Sequence, residues 1–281
     1  YHMDFDTFKQ AVDSLADFPQ MTGIMGGEPL LHPEFERFCD YALSKIPKDR
    51  LGLWSCFPER FEDYRTTIAN TFDHIFLNDH TRDDIYHAPI LVAIQEIIPS
   101  KRDMHLIIDH CWLQNSWSAA INPKGAFFCE VAAAMSILFD GPGGWPVEKG
   151  WWKKVPKDFT SQVEEWCPKC GCALNLPRRK SIEEIDDISP GNLVLLKDKS
   201  RKIAAGKYNL SDLRIIDDKS NPPMAAYKDA QYRDRIAARY GMILGINQRG
   251  FLTPYLKNNK EIGGREKSLF EEYKEKAGCL T

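Results

Sequence analysis

The sequence predicts an α/β fold in three parts. Residues 1–110 are expected to form a parallel sheet with interleaved helices, 111–180 a small β-hairpin module carrying cysteines, and 181–281 a mostly helical extension. Three observations predict this. Short apolar runs alternate with helix-spaced runs as far as residue 110, which is the pattern of βαβ units. Past Cys111 the pattern changes to period-two segments around a turn. Cysteines cluster in the middle of the chain.

The elements follow in order. Phe8, Val12 and Leu15 predict a helix over Phe5 to Leu15. Met21 to Met25 is a short apolar run that reads as a buried strand. Phe35, Phe38, Tyr41, Ala42 and Ile46 predict a helix within Pro33 to Ile46. Leu51 to Cys56 is a second strand, Phe61 to Phe72 a helix, and His74 to Asn78 a third strand. Ile90 to Ile98 reads as a helix ended by Pro99, and Met104 to Asp109 as a fourth strand. Ser116 to Ile121 and Ala126 to Glu130 alternate around the turn Asn122-Pro123-Lys124-Gly125, a hairpin signature. Two helices, Ala225 to Tyr240 and Lys267 to Ala277, are expected in the last third, after a basic stretch from Lys197 to Lys207 that reads as a solvated face. There is no internal repeat.

Composition narrows the function. The 281 residues carry 37 Lys and Arg against 40 Asp and Glu, a net charge of −3. That balance argues against nucleic-acid binding driven by backbone charge. No apolar run approaches the roughly 20 residues of a membrane span, and no secretory signal is visible, so a cytoplasmic location is expected. In a reducing compartment, clustered cysteines more often hold metal than form disulfides. The sequence has 8 of them.

In parallel α/β sheets, function collects at the C-terminal strand ends. That rule selects Gly26-Gly27-Glu28, Cys56, Asn78 and Asp109-His110. Two glycines at a strand end let backbone approach a ligand and adopt positive φ. Their carbonyls can accept from an ammonium group, Glu28 adds a carboxylate, and Pro29 stiffens the exit. This suits a ligand with an amino-acid head. A tight turn without a ligand is the plainer alternative.

The stretch Gly26-Gly27-Glu28-Pro29-Leu30-Leu31-His32-Pro33-Glu34-Phe35 resembles the second-strand turn of radical S-adenosylmethionine (SAM) enzymes. The upstream run Met3 to Lys9 looks like the segment after that family's cluster loop. The likeness spans about 35 residues. It implies a partial (β/α) barrel in which Gly26, Gly27, Glu28 and Pro29 bind the methionine end of SAM, chiefly through main-chain atoms. The family holds a catalytic [4Fe-4S] cluster with a C-x3-C-x2-C triplet, which this sequence does not contain. The first strand and its cluster loop are expected to precede Tyr1.

Cys111, Cys129, Cys167 and Cys170 form the strongest constellation, separated by 18, 38 and 3 positions. The hairpin can bring Cys111 beside Cys129, and the C-x2-C knuckle can set two thiolates on one metal group. Four thiolates suit a [4Fe-4S] cluster or tetrahedral zinc. Cys172 can replace Cys170. After a SAM-like barrel, this order is similar to the twitch module, the shortened SPASM extension. The resemblance implies that Cys111, Cys129, Cys167 and Cys170 ligate an auxiliary [4Fe-4S] cluster, with a flavodoxin- or ferredoxin-type protein as electron donor.

The chemistry so implied is hydrogen-atom abstraction by a 5′-deoxyadenosyl radical, oxidising or epimerising a small polar substrate such as a sugar or cyclitol. Peptide modification is a second expectation, and a non-catalytic zinc-stapled binder a third. Asp109 and His110 are candidates for substrate binding or base catalysis. Cys56 is a candidate hydrogen-atom donor, or a small buried hydrophobe. Ser55 and Asn78 are placed to touch SAM. Six of the seven tryptophans (Trp112, Trp117, Trp145, Trp151, Trp152, Trp166) lie in the cysteine module, where they either stack on substrate or pack the module.

Overall fold

A computed structural model describes residues 2–217, except 57, 79, 82, 84, 110, 112, 114–117 and 175. The helices expected at Ala225–Tyr240 and Lys267–Ala277 lie outside the described residues.

The N-terminal part follows the expected alternation. Helix α1 (Phe5–Leu15) starts at Asp4, whose carboxylate accepts from the Thr7 backbone N–H at 2.8 Å and hydroxyl at 2.7 Å. Capping of this kind satisfies amides that a helix start leaves orphaned. Strand β1 (Thr22–Ile24), helix α2 (Phe35–Lys45), strand β2 (Leu51–Ser55), helix α3 (Arg65–Thr71) and strand β3 (His74–Leu77) come next. The strands form a parallel sheet in the order β1-β2-β3. Thr22 pairs with Leu51, and Ser55 pairs with Leu77.

Strand alternation places Leu51 and Leu53 against the helices. Phe8 and Val12 of α1, Phe35, Phe38, Cys39 and Ala42 of α2, and Ile68 of α3 close this core around them. On the opposite face Trp54 stacks on Phe76, with ring centroids 4.3 Å apart.

The expected fourth strand is a helix. After the two-residue strand β4 (Tyr86–His87) and the short helix α4 (Ile94–Ile97), residues Lys101–Ile108 form α5. Ser100 caps it, accepting from the Asp103 N–H at 3.3 Å. Met104, Ile107 and Ile108 are buried, while Leu106 is 49% exposed. That is the 3.6-residue period of a helix packed on one side. The helix expected over Ile90–Ile98 shrinks to the single turn α4, with α5 starting beyond Pro99. Among the described residues the parallel sheet therefore has three strands and no closed barrel.

The hairpin forms as strands β5 (Ala120–Asn122) and β6 (Gly125–Phe127), shorter than expected, with Asn122 paired to Gly125. Helix α6 (Glu130–Leu138) and helix α7 (Thr160–Trp166) complete the module. Gln162 of α7 bridges back to β6. Its carbonyl accepts from Phe128 N–H at 3.0 Å, and its amide donates to Ala126 O at 3.1 Å. Trp151, Trp152 and Trp166 are buried in this core, and the Trp151 indole donates to Ser14 of α1 at 3.2 Å.

The extension opens with strands as well as helices. Strand β7 (Arg179–Lys180) pairs antiparallel with β4, and β8 (Asp186–Ile188) lies parallel to β9 (Leu213–Ile215). Between β8 and β9 lie helix α8 (Pro190–Lys199) and the short α9 (Arg201–Ala204). Segment 86–98 thus packs against 179–191, with Ser189 donating to Glu96 at 2.6 Å. No helix of the described residues is long and apolar enough to cross a membrane.

Candidate functional site

The ends of β1, β2 and β3 meet at one polar knot. Glu28, which follows the two glycines after β1, crosses to β2. Its Oε1 accepts from Leu30 N–H and from the Ser55 hydroxyl, each at 2.9 Å. Its Oε2 accepts from Cys56 N–H at 2.8 Å and from the Cys56 thiol at 3.2 Å. The third strand joins through Asn78, whose N–H donates to Ser55 O at 2.9 Å. Six of the expected residues (Gly26, Gly27, Glu28, Ser55, Cys56, Asn78) therefore sit on one sheet edge, with Pro29 buried beneath the turn.

The carboxylate of Glu28 is spent inside the protein, binding strand to strand. The groups left for a ligand are the main-chain atoms of Gly26 and Gly27. Both glycines are exposed, and a Cβ at either would meet nothing within 4 Å. Gly26 has φ +115°, a conformation that disfavours any side chain. A turn braced from below and open above is a surface on which a ligand can approach backbone carbonyls. Just after the turn, His32 ties the chain back to the segment before α1. Glu34 N–H donates to His32 Nδ1 at 3.1 Å, which leaves Nε2 to donate to Met3 O at 2.9 Å. Sequence reasoning passed over His32, although its place beside the glycine turn was the available signal.

Cys56 is half-buried. Desolvation first, then the hydrogen bond and charge of Glu28, push its thiol up to about 11. It remains a protonated S–H at neutral pH.

Asp109 does not lie at a strand end, because Met104–Asp109 is not a strand. It terminates α5, with its N–H donating to His105 O at 2.9 Å. From there it adds negative charge near Cys167. His110 lies outside the described residues, as do Trp112 and Trp117.

The cysteine constellation assembles. Cys111, Cys129, Cys167, Cys170 and Cys172 all pack in the module's core, and none is in a disulfide. Cys111, at the end of α5, donates its N–H to Ile108 O at 2.9 Å. Cys129 precedes α6 as its N-cap instead of lying on a paired hairpin strand. Cys167 closes α7, and Cys170 N–H donates back to Cys167 O at 3.1 Å.

The thiols feel one another. Burial first, then the neighbouring cysteines, raise the Cys129 and Cys167 thiols far above the ordinary range. Cys170 moves the other way, lowered by a hydrogen bond from Cys172. Charging several thiolates here without a cation is strongly opposed, and a metal group would remove that opposition. Among the described residues no three His, Cys, Asp or Glu side chains converge on a single metal ion. Four thiolates on one zinc would need sulfurs about 3.8 Å apart, from a Zn–S distance near 2.3 Å. The donor set, all soft thiols in a desolvated shell, suits in its chemistry either tetrahedral zinc or an iron–sulfur group.

Comparison with known proteins finds no matching family model, curated protein or solved structure.

Proposed function

We propose that this chain belongs to a cytoplasmic radical SAM enzyme with one auxiliary [4Fe-4S] cluster, acting on a small polar substrate such as a sugar or cyclitol. The observation that carries the reading is the Glu28 brace. It holds the Gly26-Gly27 turn at the C-terminal end of a parallel sheet, with the backbone turned outward and no side chain above it. A SAM carboxylate and ammonium need such a main-chain surface. Ser55 and Cys56 position the turn through Glu28, and Asn78 lies alongside. Cys111, Cys129, Cys167 and Cys170 would hold the auxiliary cluster. When bound, SAM and iron–sulfur groups supply one-electron cleavage and hydrogen-atom abstraction. The protein's part is to orient substrate and to exclude water and stray donors.

Anaerobically purified full-length protein, incubated with SAM and a low-potential reductant, is expected to form 5′-deoxyadenosine. Replacing Gly26 by Val, which cannot easily hold φ +115°, is expected to abolish it with iron content unchanged. Iron-loaded protein that forms no 5′-deoxyadenosine defeats the enzyme reading. One zinc and no iron per chain points instead to a stapled binding protein.

A further inference from the structure

Trp54 is the one tryptophan outside the cysteine module, and it lies on the sheet face turned away from the helices. Paired across β2 and β3, Trp54 and Phe76 stack there with ring centroids 4.3 Å apart and planes 14° from parallel. Neither ring packs against any apolar core of the described residues, and both remain part-exposed. The indole is laid across two glycines. A Cβ at Gly23 would stand 2.3 Å from Trp54 Cζ3, and one at Gly52 2.9 Å from the same atom. Neither glycine has a positive φ, so their bare Cα atoms serve the ring and not a turn. Glycine inside a strand weakens it and marks a close approach.

This apolar floor ends at a polar rim. Cys56 and Asn78 lie two positions beyond Trp54 and Phe76, on the same face by strand alternation. The Asn78 amide nitrogen hydrogen-bonds His80 Nε2 at 2.8 Å, which leaves the Asn78 side-chain oxygen to accept. The exposed Gly26-Gly27 turn follows β1 at the same edge.

Size decides what can lie here. Strands about 4.8 Å apart, with about 3.3 Å per residue, make the paired part of this three-stranded floor roughly 130 Å². A stable protein partner covers about 800 Å², whereas a single six-membered ring fits. The face of an aromatic ring is negative and attracts C–H bonds, and covering it sheds water. A polyhydroxylated ring has a C–H face for such a floor and hydroxyls at its perimeter for such a rim.

We infer that Trp54 and Phe76 form the floor of the substrate site and take a polyhydroxylated six-membered ring with one C–H face down. Its hydroxyls reach Asn78 and the Gly26-Gly27 turn. That this ring is the substrate rests on the proposed function; its binding requires neither the cluster nor SAM.

The test uses full-length protein and two probes, methyl β-glucopyranoside for sugars and scyllo-inositol for cyclitols, followed by saturation-transfer NMR. At least one is expected to bind, the sugar with its ring C–H protons more saturated than its methyl group. Trp54→Ala is expected to weaken binding about tenfold, the worth of an aromatic face contact. Trp54→Phe is expected to keep most of it. Gly23→Ala keeps both rings but pushes the indole off its seat, and is expected to weaken binding as well. No transfer to either probe, or unchanged binding in Trp54→Ala, overturns the inference. So does loss of transfer on adding SAM, which would give the floor to the cofactor's purine. Iron-loaded protein that binds a probe through Trp54 but forms no 5′-deoxyadenosine defeats the enzyme reading and leaves the ring site standing. Far-UV circular dichroism confirms that each variant is folded.

Discussion

Glu28 Oε2 accepts from the backbone N–H of Cys56 at 2.8 Å and from its thiol at 3.2 Å. The two residues are 28 positions apart, each just past the C-terminal end of one of two neighbouring parallel strands. With Ser55 and Leu30 on the other oxygen, all four donors reach one carboxylate.

Glu28→Gln keeps the shape and removes the charge, but it puts an amide donor where one oxygen accepted. At least one donor is then left facing another donor. The expected loss of stability is about 1–3 kcal/mol, the cost of an unsatisfied buried polar group. Urea denaturation measures it. In the same variant, alkylation of Cys56 at pH 9 should speed up, because part of what holds its proton is gone. Burial, the larger part, remains.

Two thiols outside the cysteine module tie stability to alkaline pH. Burial raises Cys39 to about 12, and Cys56 reaches about 11. Both hold their protons longer in the folded chain than in the unfolded one, where a thiol ionises near 9. Their contribution is whole below that point and is lost as pH climbs through the folded values. The urea midpoint of reduced protein is expected to fall between pH 8 and pH 11. In Cys39→Ala the fall should be shallower, even though the variant starts lower.

Asp187, whose side chain is 7% exposed, receives Arg179 and Arg214, each at 3.0 Å. Asp187→Asn leaves the enclosed Arg179 guanidinium with Glu183 as its one acidic partner among the described residues. Breaking a buried pair from one side costs about 3 kcal/mol. Adding Arg179→Met should restore part of that loss, because no charge is then left stranded. Thermal denaturation of the single and double variants checks both statements.

Removing the proposed cluster should be visible in stability as well as in iron. Ligands that bind only the folded state raise its melting temperature. Anaerobic protein carrying iron is expected to melt higher than protein stripped by an oxidant and chelator. Cys129→Ser is expected to hold about four irons fewer, the content of one cube. Equal melting temperatures with and without iron would count against a cluster held by these cysteines.

Local pattern made most of the first part readable. Helices α1 and α2 bury side chains at i, i+3 and i+4, and the three strands are short apolar runs ended by glycine or polar residues. The run Met104-His105-Leu106-Ile107-Ile108 misled, because five residues fit either period, and the Ser100 cap just upstream, which marks a helix, was not weighed. The thiol cluster was legible as spacing, because a C-x2-C knuckle is a local device. The role of Glu28 was not, since its partners lie on the next strand and a carboxylate after two glycines looks aimed at a ligand. Nor was the pairing of Tyr86 with Lys180, which joins segments that no local rule connects.

Leu15, at the last turn of α1, packs against the N-terminal core and against the cysteine-module core at once. One helix thus serves two apolar interiors, with Ser14 beside it receiving the Trp151 indole. Neither interior can open without baring a flank of the other. Heating should give one sharp melt common to tryptophan emission and backbone dichroism, with no half-folded remnant to digest.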